Sequence, residues 1–161
     1  MNSAYLLIGG NLGDRREQLA KAAKQIEKTC GRIIRLSHLY ETEAWGKTDQ
    51  PSFYNQALLL HTPLAARDLL KSILGIESSM GRQRLEKYGP RVIDIDILLF
   101  NEEIIHDEGL NIPHPELIHR RFALAPLNEI AAQVKHPLLK KTIRTLLKEC
   151  RDGLNVRKLE N

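Results

Sequence analysis

An α+β fold with the element order β-α-β-β-α-β follows from three observations on this 161-residue sequence. Short apolar runs are bounded by glycine, proline and polar clusters, as strands are. Two stretches between them repeat apolar residues at helical spacing. The order in which the two kinds of segment alternate is the split βαβ, or ferredoxin-like, pattern, with both helices on one face of a sheet containing antiparallel pairs. A C-terminal helical extension completes the chain, and one domain over residues 1–161 is expected at this length.

Ala4 to Ile8 is apolar and ends at Gly9-Gly10, which reads as a strand and a tight turn. Asp14 with Glu17 three residues on starts a helix in the manner of a capping box. Leu19, Ala22, Ala23, Ile26 and Cys30 then recur on one helical face until Gly31. Ile33 to Tyr40 reads as the second strand, residues 41 to 52 as a polar loop, and Phe53 to His61 as the third strand. Thr62-Pro63 is expected to cap a helix whose stripe runs through Ala66, Leu69, Leu70, Ile73 and Ile76 and stops near Gly81. After the loop GRQRLEKYGPR comes the strand RVIDIDILLF, residues 91 to 100. A Pro-rich segment, NIPHPELIHRRF, and a helix near residues 138 to 150 follow.

Hydrophobic residues make up 42 % of the chain and charged ones 27 %, ordinary for a globular protein. No apolar run reaches the roughly 18–20 residues that span a bilayer, and the N-terminus lacks the basic start of a secretory signal. Cys30 and Cys150 match no metal or disulfide spacing. A cytoplasmic protein without membrane or nucleic-acid partners is the expectation. The net charge of +4 does not argue otherwise, because it lies wholly between Lys140 and Asn161, where seven basic residues face three acidic ones.

The chemistry concentrates in RVIDIDILLF. Aspartate is depleted in strands, yet Asp94 and Asp96 are set among Ile93, Ile95 and Ile97. Alternation puts both carboxylates on one face, their Cα atoms about 6.5–7 Å apart. That spacing suits carboxylates sharing a pair of divalent cations, and oxygen-only ligation favours Mg²⁺. A polar face turned to solvent is the plainer alternative. The preceding loop brings Arg82, Arg84, Lys87 and Arg91, and arginine offers phosphate a bidentate fork. Basic loop and paired aspartates together are a kit for a metal-chelated polyphosphate. IGGNLGD fits neither a P-loop nor G-x-G-x-x-G, so phosphate is not expected there. Phe53 and Asn55 share a strand face, which offers a ring and an amide to a flat heterocycle. His114, with Arg120 close behind, can complete a phosphate clamp. His38, His61, His106 and His136 read as isolated surface histidines.

These motifs together resemble the 6-hydroxymethyl-7,8-dihydropterin pyrophosphokinase family of folate biosynthesis. KYGPRVIDIDIL is similar to its signature, and IGGNLGD, ETEAWGKTDQPSFYN, IESSMGRQR and IPHPELIHRRFALAPLNEIA occur in matching order over nearly the whole chain. The resemblance implies pyrophosphate transfer from ATP to the pterin hydroxymethyl group, with AMP released, two Mg²⁺ ions and a ferredoxin-like fold. A monomer is the expectation, though the residues themselves do not give the oligomeric state. It implies that Asp94 and Asp96 bind metal, and that Arg82, Arg91 and Asp96 act in catalysis. Arg82, Arg84, Arg91, His114 and Arg120 would contact the ATP phosphates, and Glu77 and Ile97 the nucleoside. Thr42 and Trp45 would meet the pterin through their backbone, Asn55 would bond its edge, and Phe53 and Phe122 would sandwich its rings. The chain departs from the family pattern at Leu74, Leu85, Phe53 and Tyr88, where glutamine, lysine, tyrosine and tryptophan are expected. A palm-like nucleotidyl transferase, attacking the α-phosphorus instead, and a non-catalytic RNA-binding module are alternatives on the same fold. The second lacks an RNP1-like aromatic run here.

Overall fold

The first strand, β1 (Asn2–Gly10), is longer than its apolar run and lies inside the sheet. The structure, a computed structural model, describes residues 1–43, 50–81 and 91–160. Leu6 and Ile8 enter one hydrophobic core and Leu7 the other, so both faces of β1 are covered. Gly9 and Gly10 remain in the strand, contrary to the expected turn; only Gly13 beyond them takes the left-handed conformation, at φ 68°.

Helix α1 (Arg15–Thr29) begins as expected: the Asp14 carboxylate accepts the Glu17 N–H at 3.1 Å. It buries Leu19, Ala22 and Ile26. The single strand expected over 33–40 is two, β2 (Arg32–Leu36) and β3 (Tyr40–Thr42). Ser37 divides them, because its hydroxyl takes the Ala57 N–H at 2.9 Å and donates to the His38 carbonyl at 2.7 Å. A side chain thus substitutes for the ladder. β4 (Phe53–Thr62) follows, then α2 (Ala66–Ser79). Thr62 does not cap α2. It closes β4, its hydroxyl donating to the Cys30 carbonyl and accepting the Leu64 N–H, and α2 starts three residues later than a Thr62 cap would place it.

β5 (Asp94–Phe100) carries the aspartates. β1 pairs antiparallel with both β4 and β5, giving the order β5-β1-β4-β3, with β2 also on β4. This is the ferredoxin-like arrangement, with α1 and α2 packed on one face over Leu6, Ile8, Leu58, Ile95 and Ile97. A bulge opposite Tyr5 and Leu6 resets the alternation of β5, so that Leu98 and Leu99 both enter the second core.

The C-terminal third closes the other face. A hairpin of β6 (Ile105–Asp107) and β7 (Leu110–Ile112) leads to α3 (Arg121–Ala131) and α4 (Ile143–Glu149). Both helices pack on Leu7, Ala57, Leu98 and Leu99. α4 begins later than expected, at a Thr142 cap that accepts the Thr145 N–H. β8 (Val156–Lys158) then adds to β3, pairing Thr42 with Val156 and Tyr40 with Lys158. Thr42 donates its hydroxyl to the Asn155 carbonyl at 2.9 Å, and Arg157 pairs with Glu41. Cys30 and Cys150 are buried and free. Among the described residues no helix is long and apolar enough to cross a membrane.

His136 is not the surface histidine expected. It is buried, and its Nδ1 accepts the N–H groups of Leu138 and Leu139, each at 3.2 Å. Burial lowers its pKa. The unfolded chain therefore takes up this proton first, and stability is lost as pH falls through about 6.5. The thermal midpoint should drop between about pH 7.5 and pH 5.5, and less in His136→Asn, which keeps an acceptor but cannot protonate. Equal slopes in the two proteins would clear His136 of the effect.

Candidate active site

Strand pairing sets the site in rows. Asp94, Gly9, Asn55 and Tyr40 stand opposite one another across β5, β1, β4 and β3. Asp96, Leu7 and Ala57 form the next row. Leu7 and Ala57 belong to the core under α3, so these rows lie on the α3 face, at the end where β1 finishes. Ile93, Ile95 and Ile97 are buried in the α1/α2 core, as the alternation requires. The aspartates keep 24 % and 28 % of their side-chain surface exposed.

The repulsion between two carboxylates is answered in part within the chain. Arg91 Nη1 lies 3.1 Å from Asp94 Oδ2, and the same guanidinium sits 5.6 Å from the centre of the Phe53 ring. The backbone of Arg91 is tied to Asn11, whose carbonyl oxygen Oδ1 takes the Arg91 N–H at 3.0 Å. Asn11 also donates to Gln50 Oε1 and to the Pro51 carbonyl, so one buried amide fixes residues 50–51 and 91 together. The sequence reading passed over Asn11; a polar residue directly after a buried strand was the available signal.

His114 docks against β5 through its N–H, which donates to the Leu98 carbonyl at 3.0 Å. Its Nδ1 accepts the Glu116 N–H at 3.1 Å, and its Nε2 stands 3.9 Å from Asp96 Oδ1. Burial, and then the Arg120 charge, lower its pKa. The ring is therefore neutral near pH 7, and with Nδ1 accepting, Nε2 carries the hydrogen that faces Asp96. Arg120 precedes α3, its guanidinium 5.6 Å from the Phe122 ring centre.

Glu77, 2 % exposed on α2, accepts the Ile95 N–H at 2.8 Å and so braces the aspartate strand along the sheet edge. The Ile97 side chain is in the α1/α2 core. The Ile97 main chain points outward, away from β1, like that of Ile95 two residues earlier. The Thr42 hydroxyl donates to the Asn155 carbonyl, and its backbone lies between Phe53 of β4 and Val156 of β8. At the end of the Asn55 row, Tyr40 donates to Glu129 Oε1 at 2.8 Å, and burial together with that carboxylate raises the phenol's pKa. Trp45, Arg82 and Arg84, with Leu85 and Tyr88, lie outside the described residues. Leu74 is exposed on α2.

Among the described residues no group of three or more metal-ligating side chains comes together. Two partly exposed carboxylates nevertheless fit Mg²⁺, which keeps most of its shell as water and substrate oxygen and takes only one or two protein carboxylates. Zinc would require more nitrogen or sulfur ligands than this face supplies.

The chain's likeness to known proteins agrees with this geometry. The model of the 7,8-dihydro-6-hydroxymethylpterin-pyrophosphokinase family matches residues 5–132. A 2-amino-4-hydroxy-6-hydroxymethyldihydropteridine pyrophosphokinase of Aquifex aeolicus is 40 % identical over 144 residues, 89 % of each chain. The protein of that name in Bacillus subtilis is 42 % identical over 135 residues, covering 83 % of this chain and 81 % of its own. The wild-type HPPK-DHPS of Plasmodium falciparum superposes with a TM-score of 0.74 at 22 % identity, over 92 % of this chain but only 43 % of that one, and so speaks for the fold alone. The chain belongs to the 7,8-dihydro-6-hydroxymethylpterin-pyrophosphokinase family.

Proposed function

We propose that the α3 face of the sheet, at the end of β1, is where this pyrophosphokinase joins its two substrates. The enzyme transfers pyrophosphate from ATP to the hydroxymethyl group of the dihydropterin, a step of folate biosynthesis. One observation carries the assignment of residues: Asp94 and Asp96, for the metal-bound polyphosphate, stand two strands from Asn55, for the heterocycle, with bare Gly9 between.

In this reading Asp94 and Asp96 hold two Mg²⁺ ions, which when bound neutralise the phosphate oxygens and favour departure of AMP. The chain's own groups do the rest. Arg91, His114 and Arg120 bind phosphate oxygens, joined by Arg82 and Arg84 on the strength of the family pattern. Glu77 and the outward main chain of Ile97 receive the nucleoside. Phe53 and Phe122 enclose the pterin, Asn55 bonds its edge, and Thr42 and Trp45 present backbone groups to it. The hydroxymethyl oxygen attacks the β-phosphorus in line, forming a new O–P bond as the bond to the α-phosphate oxygen breaks. In this reading Asp96 receives the hydroxyl proton, unless metal activation of the hydroxyl suffices without it. Burial of the reacting groups among these side chains excludes water and protects ATP from hydrolysis. The reading calls on no residue of a second copy, and the protein is proposed to act as a monomer. Two free thiols, both buried, suit a reducing compartment such as the cytoplasm.

Incubation with ATP, Mg²⁺ and the hydroxymethyl dihydropterin should yield AMP and a diphosphorylated pterin. Release of inorganic pyrophosphate in place of AMP would mean attack at the α-phosphorus and defeat the reading. Asn55→Ala should raise KM for the pterin by about tenfold or more, the cost of a lost hydrogen bond in a buried site, with KM for ATP almost unmoved. Equal losses for both substrates would remove Asn55 from the acceptor side.

A further inference from the structure

We propose that Gly9 is a positioning residue for the acceptor: the missing side chain is what allows the Asn55 carboxamide to lie where it does. This rests on the reading of Asn55 given above. Gly9 pairs with Asn55 on one side and Asp94 on the other, at the centre of the row that joins the two substrates. A Cβ built on Gly9 would fall 2.1 Å from Asn55 Oδ1 and 3.1 Å from its Cγ, with the Tyr54 carbonyl oxygen at 3.2 Å. The first distance is far inside van der Waals contact, so the amide would have to move. Asn55 is 5 % exposed in a strand packed under α3, which leaves its side chain little room to turn. Gly9 lies in an extended strand and is not one of the glycines at positive φ. Backbone conformation therefore does not demand glycine; the space above it does.

Gly10 differs in kind. A Cβ there would lie 2.3 Å from the Val92 carbonyl oxygen, so its bareness serves the chain entering β5 rather than Asn55. The two adjacent glycines thus make room for different sides of the site.

The test is a double-mutant cycle of Gly9→Ala with Asn55→Ala, measuring KM for pterin and for ATP along with the melting temperature. In the wild-type background Gly9→Ala should raise the pterin KM by about tenfold to a hundredfold, as a misplaced binding group does, and leave the ATP KM within about twofold. In the Asn55→Ala background, where the colliding amide is gone, the same change should cost about twofold or less. Equal factors in the two backgrounds, or a matching rise in the ATP KM, would overturn the proposal. Should Gly9→Ala alone be insoluble, recovery of soluble protein in the Asn55→Ala background would support the contact, and failure of both would refute it. An unchanged pterin KM in Asn55→Ala alone would instead sink the acceptor reading itself.

Discussion

Asp96→Ala should lower kcat by about a thousandfold or more, equivalent to roughly 4 kcal/mol of lost transition-state stabilisation, in a protein that remains folded. The fold should survive because Asp96 contributes little to packing: its side chain is partly exposed, and the neighbouring Ile95 and Ile97 fill the core from the opposite face. Loss of one of two like charges on a strand also relieves repulsion. Chemistry suffers because half of the carboxylate pair proposed to hold the cations is removed, together with the acceptor for the hydroxyl proton. Asp96→Asn, which keeps the shape but not the charge, should be nearly as inactive. Circular dichroism and AMP release, measured on the same preparations, check both parts. A rate close to wild type would remove the aspartate pair from the mechanism.

Arg91→Ala should follow, with kcat reduced by about a hundredfold, the scale of losing one charged donor aimed at the transition state. Arg91 reaches both halves of the site, against Asp94 on one side and the Phe53 ring on the other. In the structure it offsets the Asp94 charge. In the proposed reading, cations held by the carboxylates would free the guanidinium for the phosphate oxygens. Arg91→Lys should recover only part of the loss, since an ammonium cannot reproduce the planar fork. Full recovery by lysine would show that charge alone is required there. Single-turnover measurements of AMP formation separate this from slowed product release.

Much of this was legible in the residues. Asp94 and Asp96 among three isoleucines announced a strand with one charged face, because the period of two leaves no other arrangement. The helical stripes of α1 and α2 were equally plain. Other features were hidden by tertiary context. α3 escaped because Pro126 interrupts the run Ala123, Leu124, Leu127, Ile130 that would otherwise declare it. Ser37 splits a strand through one hydroxyl bonded to residue 57, and no local pattern reports a partner twenty positions away. Gly9 and Gly10 read as a turn because glycine's commonest use is conformational, whereas here its use is steric. The pairing of β8 with β3 depends on a tail whose composition reads only as charged.

That last pairing bears on the order in which the sheet is built. Thr42 and its neighbours gain their outer partner from residues 155–158, translated more than a hundred codons later. While the nascent chain still holds those residues inside the ribosomal exit tunnel, β3 has an open flank. That edge of the sheet should therefore be completed only when residues 155–158 emerge, long after the aspartate strand has been made.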